Sequence, residues 1–245
     1  MLENRQYRME QVGSTNVNYL LKGEGKPLLF LHGLGFKPEY YESTITELAK
    51  THEVIAPVIY GIPGLTPQPI TVDECVELTL GFQEKIGAKR IVGHSIGGAV
   101  GIQMASQTKV DDVVAFNPLL RVDYNSLGFA WRGAYKGARQ IIGVPGEISS
   151  RKFGLTIPFP YAWNVLKDFN NFRSLVTDVC EFEYDGEEVQ QPTKVVFGEG
   201  DEYFKLDEEN EAILKAMDIE IVRIPNQSHD WPLFSHILAA AQVQQ

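Results

Sequence analysis

Gly93-His94-Ser95-Ile96-Gly97-Gly98 lies between an apolar pair, Ile91-Val92, and an Ala- and Gly-rich stretch running from Ile96 to Gln107. Glycines on either side of a serine, spaced Gly-x-Ser-x-Gly, leave room for a sharp strand-to-helix turn that holds the hydroxyl out at the carboxyl end of a buried strand. A helix beginning there aims its N–H groups and positive end at the same point. An alcohol so placed becomes a nucleophile only when a base takes its proton and a third group orients that base. The pattern therefore asks for an imidazole and a carboxylate elsewhere in the chain.

Five histidines are available. His32 and His94 sit at strand ends inside turn motifs, where they brace loops. His52 precedes a strand, at the wrong end of the sheet, and His236 falls within the closing helical segment. His229, in Pro225-Asn226-Gln227-Ser228-His229-Asp230, follows the apolar run Ile221–Ile224 and occupies a loop leaving the last strand's carboxyl end. Loops at that end surround the site of an open α/β sheet. Among the acids, Asp201 in Phe197-Gly198-Glu199-Gly200-Asp201 lies directly beyond the preceding strand, with glycines that let the loop turn back toward the imidazole. Glu199, Asp230 and Asp123 are its rivals.

Attack on a carbonyl creates an oxyanion, which calls for two preorganised donors; losing one typically costs about 3 kcal/mol of transition-state stabilisation. The backbone N–H of Ile96, after the serine, offers one. Leu34, in Leu31-His32-Gly33-Leu34-Gly35-Phe36 at the end of an earlier strand, offers the other.

The elements that must position these groups alternate along the chain. Tyr7–Val12 and Val17–Lys22 read as strands around a Gly13–Asn16 turn, and Leu28–Leu31 as a strand covered on both faces. Tyr41, Ile45 and Leu48 fall at helical spacing, and Val54–Ile59 reads as a strand. Thr71-Val72-Asp73-Glu74 predicts a capping box ahead of a helix through Ile86. Strands at Ile91-Val92 and Val113–Phe116 flank the Ile96–Gln107 helix. Strands at Lys194–Phe197 and Glu220–Ile224 enclose a helix over Asp207–Met217, and Trp231–Ala241 closes the chain as a single helix. Repeated βα alternation predicts a doubly wound, mostly parallel sheet flanked by helices.

The stretch from Arg121 to Arg173 breaks this rhythm. It holds ten of the chain's 26 aromatics and eight bases against three acids, a local charge of +5 in a chain whose net charge is −10. Such a departure marks an insertion over one end of the sheet. The division expected is a core of residues 1–119 and 192–245 with a cap over 120–191.

The 245 residues, 44% hydrophobic and 22% charged, fit one globular domain with an insertion, and 11% aromatics exclude disorder. The negative balance disfavours nucleic acid as a partner. Two cysteines, Cys75 and Cys180, make no disulfide framework and point to a reducing compartment. A polar N-terminus and the absence of any long apolar run predict neither a secretory signal nor an integral membrane segment, so the expected location is cytoplasmic.

Taken together, these motifs resemble the α/β-hydrolase family, in a serine esterase- or lipase-like branch. His32-Gly33 resembles its oxyanion loop, Gly93–Gly98 its nucleophile elbow, Gly198–Asp201 its acid loop and Ser228–Trp231 its histidine loop. The order Ser, Asp, His agrees. The resemblance implies an α/β-hydrolase fold with a helical cap and catalytic Ser95, Asp201 and His229. It also implies backbone donors at Leu34 and Ile96, and no cofactor or metal. The chain departs from many relatives in Pro57–Thr66, which lacks the aspartate of their Asp-x-x-Gly-x-Gly-x-Ser stretch. Serine rather than aspartate as nucleophile argues against the dehalogenase and epoxide-hydrolase branches.

The implied reaction is cleavage of a carboxylic ester, carboxylesterase- or lysophospholipase-like, through an acyl-enzyme. Cap aromatics, with Trp131, Phe159 and Trp163 as substrate-binding candidates, favour a small-molecule ester with an apolar acyl or aryl group. The cap's bases suit either an anionic substrate or lipid surface, or a solvated face. Two other readings share the frame: a serine carbon–carbon bond hydrolase of a dienoic ketone, and a non-catalytic ligand-binding or signalling protein.

Overall fold

The computed structural model describes residues 7–34, 36–59, 71–121, 128, 169–184 and 189–243. Asp123 and the candidates Trp131, Phe159 and Trp163 lie outside the described residues, as do most of 120–191 and most of the Pro57–Thr66 loop.

The chain opens as a hairpin, β1 (Arg8–Val12) and β2 (Thr15–Lys22). Its turn is tighter than the expected Gly13–Asn16: Thr15 pairs with Val12 and Asn16 with Gln11, so only Gly13-Ser14 remain at the tip. Gly13 takes φ 58, which its missing Cβ permits. Strand β3 (Lys26–Leu31) is followed by a 3₁₀ turn (Pro38–Tyr41) that runs into α1 (Glu42–Leu48), then β4 (His52–Pro57). Helix α2 (Val72–Ile86) leads to β5 (Arg90–His94), α3 (Ile96–Gln107) and β6 (Asp112–Phe116). Next among the described residues come α4 (Phe169–Glu181), which falls within the segment 120–191, then β7 (Thr193–Gly198), α5 (Glu208–Ala216) and β8 (Glu220–Ile224). The short α6 (Trp231–Phe234) and α7 (His236–Val243) finish the fold.

Eight strands form one sheet in the order β1-β2-β4-β3-β5-β6-β7-β8. The pairs β1–β2 and β2–β4 are antiparallel; every later pair is parallel. The chain leaves β3 toward β4 on one side and returns through α2 to β5 on the other. Strand order therefore reverses at β3, and the loops after β3 and β5 part around a crevice at the carboxyl ends of the strands. That crevice is where open α/β sheets bind ligands.

Side chains of the parallel strands alternate between two buried layers. Leu29, Leu31, Ile91, Val113, Ala115, Val195 and Phe197 pack on the face covered by α2, α3 and α4. Leu28, Phe30, Val92, Val114, Phe116 and Val196 pack on the other, against α1, α6 and α7. Burial of both faces explains why the strands read as continuous apolar runs. Each fully buried Leu, Val or Phe contributes about 1.5–3 kcal/mol. The large ring of Trp231, 1% exposed, anchors the second layer.

Helix α2 starts as expected. Thr71 Oγ1 accepts from the Glu74 N–H, and the Glu74 carboxylate accepts from the Thr71 N–H. Helix α4 docks on it: the Val72 N–H donates to Asp178 Oδ2 at 2.5 Å, while Leu175, Val176 and Val179 are buried. Two expectations need correction. Strand β4 ends at Pro57 rather than Ile59, although Val58 and Ile59 are fully buried; one more bond, from Val58 N–H to Asn18 O of β2 at 2.8 Å, follows the strand's end. The closing helix is two helices broken at Ser235, whose φ of −98° and ψ of 51° are not helical. Among the described residues, no helix is long and apolar enough to cross a membrane.

Candidate active site

Strand β5 delivers His94 and Ser95 to the crevice. Ser95 has φ 57 and ψ −124, a conformation L-residues adopt at a cost of roughly 1–3 kcal/mol. The surroundings hold it there: its N–H donates to Phe116 O at 3.0 Å, and its carbonyl accepts from Gly98, Ala99 and Leu119 at 2.9–3.1 Å. The neighbouring glycines are steric necessities. A Cβ on Gly93 would sit 2.2 Å from Gly97 O, and one on Gly97 would sit 2.5 Å from Leu31 O and 2.7 Å from His32 O. Gly97 thereby lets the loop after β3, which carries Leu34, press against the start of α3. Ile96 is the first residue of that helix, where a backbone N–H has no intrahelical acceptor. Leu34 and Ile96 are both buried.

Asp201 and His229 come into direct contact. Asp201 Oδ2 lies 2.7 Å from His229 Nδ1, and the two side chains are 0% and 7% exposed. The other carboxylate oxygen, Oδ1, accepts from the N–H groups of Tyr203 at 2.7 Å and Phe204 at 2.9 Å. Because a carboxylate oxygen accepts, Nδ1 of the neutral imidazole carries the hydrogen and Nε2 the lone pair. Rings of Tyr203, Phe204 and His94 wall the imidazole at centroid distances of 5.0, 5.2 and 4.9 Å. Of the rival acids, Glu199 is exposed, and Asp230 is buried and starts α6.

The loops bearing these two residues are joined at their bases. Gly200 N–H donates to Gln227 O at 2.8 Å, and Glu199 N–H to Ile224 O at 3.1 Å. Three residues outside the expected set shape the centre. Glu202 Oε2 accepts from the His229 N–H at 3.0 Å. Asn117, fully buried at φ 40, donates through Nδ2 to Ser228 O at 3.2 Å and His229 O at 3.1 Å. Its Oδ1 accepts from Gly198 N–H at 2.7 Å and Trp231 Nε1 at 3.3 Å. Tyr41 Oη accepts from Gly33 N–H at 3.0 Å and lies 2.6 Å from His94 Nδ1. The only signal of Asn117 in the sequence is a polar residue immediately beyond a buried strand, and Glu202 is hidden beside the acid chosen.

Of the other histidines, His52 is the first residue of β4 rather than preceding it, and His236 opens α7. His32 is buried in the loop after β3, its Nδ1 2.8 Å from Gly33 O, and burial lowers its pKa to about 4. His52 is at the opposite end of the sheet, beside Thr51 and Arg90. Among the described residues, His94, His229 and Asp230 bring potential metal-ligating atoms within 4.8 Å of one another. Both ring nitrogens of His94 are already engaged, by Tyr41 and by His229 O, so the grouping needs no ion to explain it.

Comparison with known proteins agrees with this frame. The enol-lactonase from Burkholderia xenovorans LB400 superposes with a TM-score of 0.76 at 16% identity, covering 97% of this chain and 98% of that one. A serine hydrolase involved in carbazole degradation superposes with a TM-score of 0.73 at 21% identity, covering 98% and 97%. At such identities the likeness is one of fold. A curated relative from Mycobacterium phage D29, named as a non-heme haloperoxidase, is 34% identical over 90 residues, 35% of this chain and 32% of that protein. The chain thus matches about a third of that relative's length. The model of the alpha/beta hydrolase family matches residues 28–242, and with that span the chain belongs to the alpha/beta hydrolase family.

Proposed function

We propose that the chain is a serine hydrolase that cleaves a small carboxylic ester through an acyl-enzyme. The observation that carries this reading is the buried 2.7 Å contact between Asp201 and His229, in a loop clamped to the turn that holds Ser95 at φ 57. In the proposed reaction Ser95 Oγ attacks the ester carbonyl while His229 Nε2 takes its proton. Asp201 stabilises the imidazolium, and the N–H groups of Leu34 and Ile96 receive the oxyanion. Collapse of the tetrahedral intermediate breaks the C–O bond, and His229 returns the proton to the departing alcohol. Water, deprotonated by the same imidazole, then releases the acid. These steps call for no cofactor. The segment 120–191 is proposed as a cap roofing the pocket, its aromatics (Trp131, Phe159, Trp163) lining it for an apolar acyl or aryl group.

A fluorophosphonate probe together with a chain-length series of nitrophenyl esters tests this. The wild-type protein should be labelled at Ser95 and hydrolyse the esters, and Ser95→Ala should do neither while remaining folded. A folded wild-type protein that is neither labelled nor active would instead support a non-catalytic binding role.

A further inference from the structure

The carbonyl oxygen of His229 receives two hydrogen bonds, from His94 Nε2 at the end of β5 at 3.0 Å and from Asn117 Nδ2 just beyond β6 at 3.1 Å. A carbonyl only accepts, so His94 Nε2 must carry a hydrogen. In the neutral ring Nδ1 then presents a lone pair, and the hydroxyl of Tyr41, 2.6 Å away, must donate to it. That hydroxyl oxygen in turn accepts from Gly33 N–H. The polarity of the whole chain is thereby fixed, from Gly33 N–H to Tyr41 O–H to His94 Nδ1, and from His94 Nε2–H to the carbonyl of His229. Burial, partly offset by the bond from Gly33 N–H and reinforced by the nearby charge of Asp230, raises the Tyr41 pKa well above that of a free phenol, so the hydrogen it must give is retained. The relay touches the loop carrying Leu34, the residue before Ser95, and the backbone of the imidazole that must meet it.

We propose that His94, held in its Nε2–H tautomer by Tyr41 and assisted by Asn117, is a positioning residue that sets the distance between His229 and Ser95 by gripping the His229 backbone carbonyl. This rests on the proposed hydrolase reading, since its consequence is felt in acylation. Asp201 and Glu202 fix the ring and the N–H of His229, but neither bears on where the loop stands relative to β5. The grip on the carbonyl does. His94 immediately precedes Ser95, so a shift of one is a shift of the other.

The test compares three substitutions at one site with a tautomer measurement. His94→Phe removes both bonds and should slow fluorophosphonate labelling of Ser95 on the order of 10²-fold, the scale of a 1 Å misplacement. The loss should fall on kcat, with KM little changed. His94→Gln places an amide N–H near the former Nε2 and should recover most of the rate; His94→Asn, which reaches Tyr41 but not the carbonyl, should not. Long-range ¹H–¹⁵N spectra of the wild-type protein at neutral pH should show His94 protonated at Nε2, with Tyr41→Phe mixing the tautomers. Wild-type labelling with equal rates in folded His94→Phe overturns the clamp and leaves the hydrolase reading standing. No wild-type labelling overturns the hydrolase reading instead. Should His94→Phe fail to fold, the spectra decide: a wild-type His94 protonated at Nδ1 overturns the proposal.

Discussion

Asp201 divides its two carboxylate oxygens between different tasks. Oδ1 takes the N–H groups of Tyr203 and Phe204, while Oδ2 faces His229 Nδ1 at 2.7 Å. The division matters because it leaves an isosteric amide no choice of orientation. In Asp201→Asn the two backbone donors keep Oδ1 in place, and the NH₂ must then point at Nδ1. The imidazole is forced into the tautomer that carries hydrogen on Nε2, where it cannot accept a proton from serine. Ester turnover should fall roughly 10⁴-fold with the fold intact, the scale such a tautomer error produces elsewhere. Steady-state kinetics and a thermal melt check it together.

Ser95 separates strain from chemistry. Glycine relieves φ 57 and alanine does not, so Ser95→Gly should be more stable than Ser95→Ala by about 1 kcal/mol, both being inactive. Urea unfolding of the two variants measures the difference. Equal midpoints would mean the backbone there is unstrained.

His32 predicts an acid sensitivity. Its folded pKa is lowered to about 4 by burial, so between the ordinary value of 6.5 and 4 the unfolded chain binds the proton first. Stability is fully present above pH 6.5 and is lost as pH falls toward 4, by about 3 kcal/mol for this one group. His32→Gln should flatten the slope of unfolding free energy over that range; an unchanged slope refutes the assignment.

Asp178 acts with the opposite sign. Burial first, then the charges of Asp73, Glu181 and Glu74, raise its pKa, while the bond from Val72 N–H lowers it. The folded state therefore favours the protonated acid, and stability is gained as pH falls through the raised pKa toward 3.8. Asp178→Asn keeps an acceptor for Val72 and removes the charge. It should raise the melting temperature at pH 7 and lose that advantage near pH 4. A variant less stable than wild type at pH 7 would show that the charge on the α2 terminus outweighs burial and repulsion.

What could be read from the sequence was local. The capping box at Thr71 and Glu74 and the α3 limits, Ile96 to Gln107, depend on neighbours within a turn, and they appear as written in the chain. Strand burial was legible because both sheet faces are covered. The expectations that failed concerned where elements stop. Apolar Val58 and Ile59 stay fully buried beyond the end of β4, and Ser235 interrupts a segment whose composition is helical throughout. For the site, motif spacing singled out Asp201 and His229, which the fold brings together. It could not single out Asn117, whose four side-chain bonds go to Gly198, Ser228, His229 and Trp231, all at least 81 positions away.

The segment after β6 is rooted on the peptide of Ser95. Leu119 N–H donates to Ser95 O, and Leu119 O accepts from Tyr184 Oη at 2.9 Å. The outgoing and returning stems of the segment after β6 are thus tied to each other and, through one amide plane, to the residue proposed to do the chemistry. Any displacement of those stems, by an arriving molecule or a departing one, is transmitted to Ser95 without passing through the sheet, so that the two stems and the serine proposed to react form a single mechanical unit.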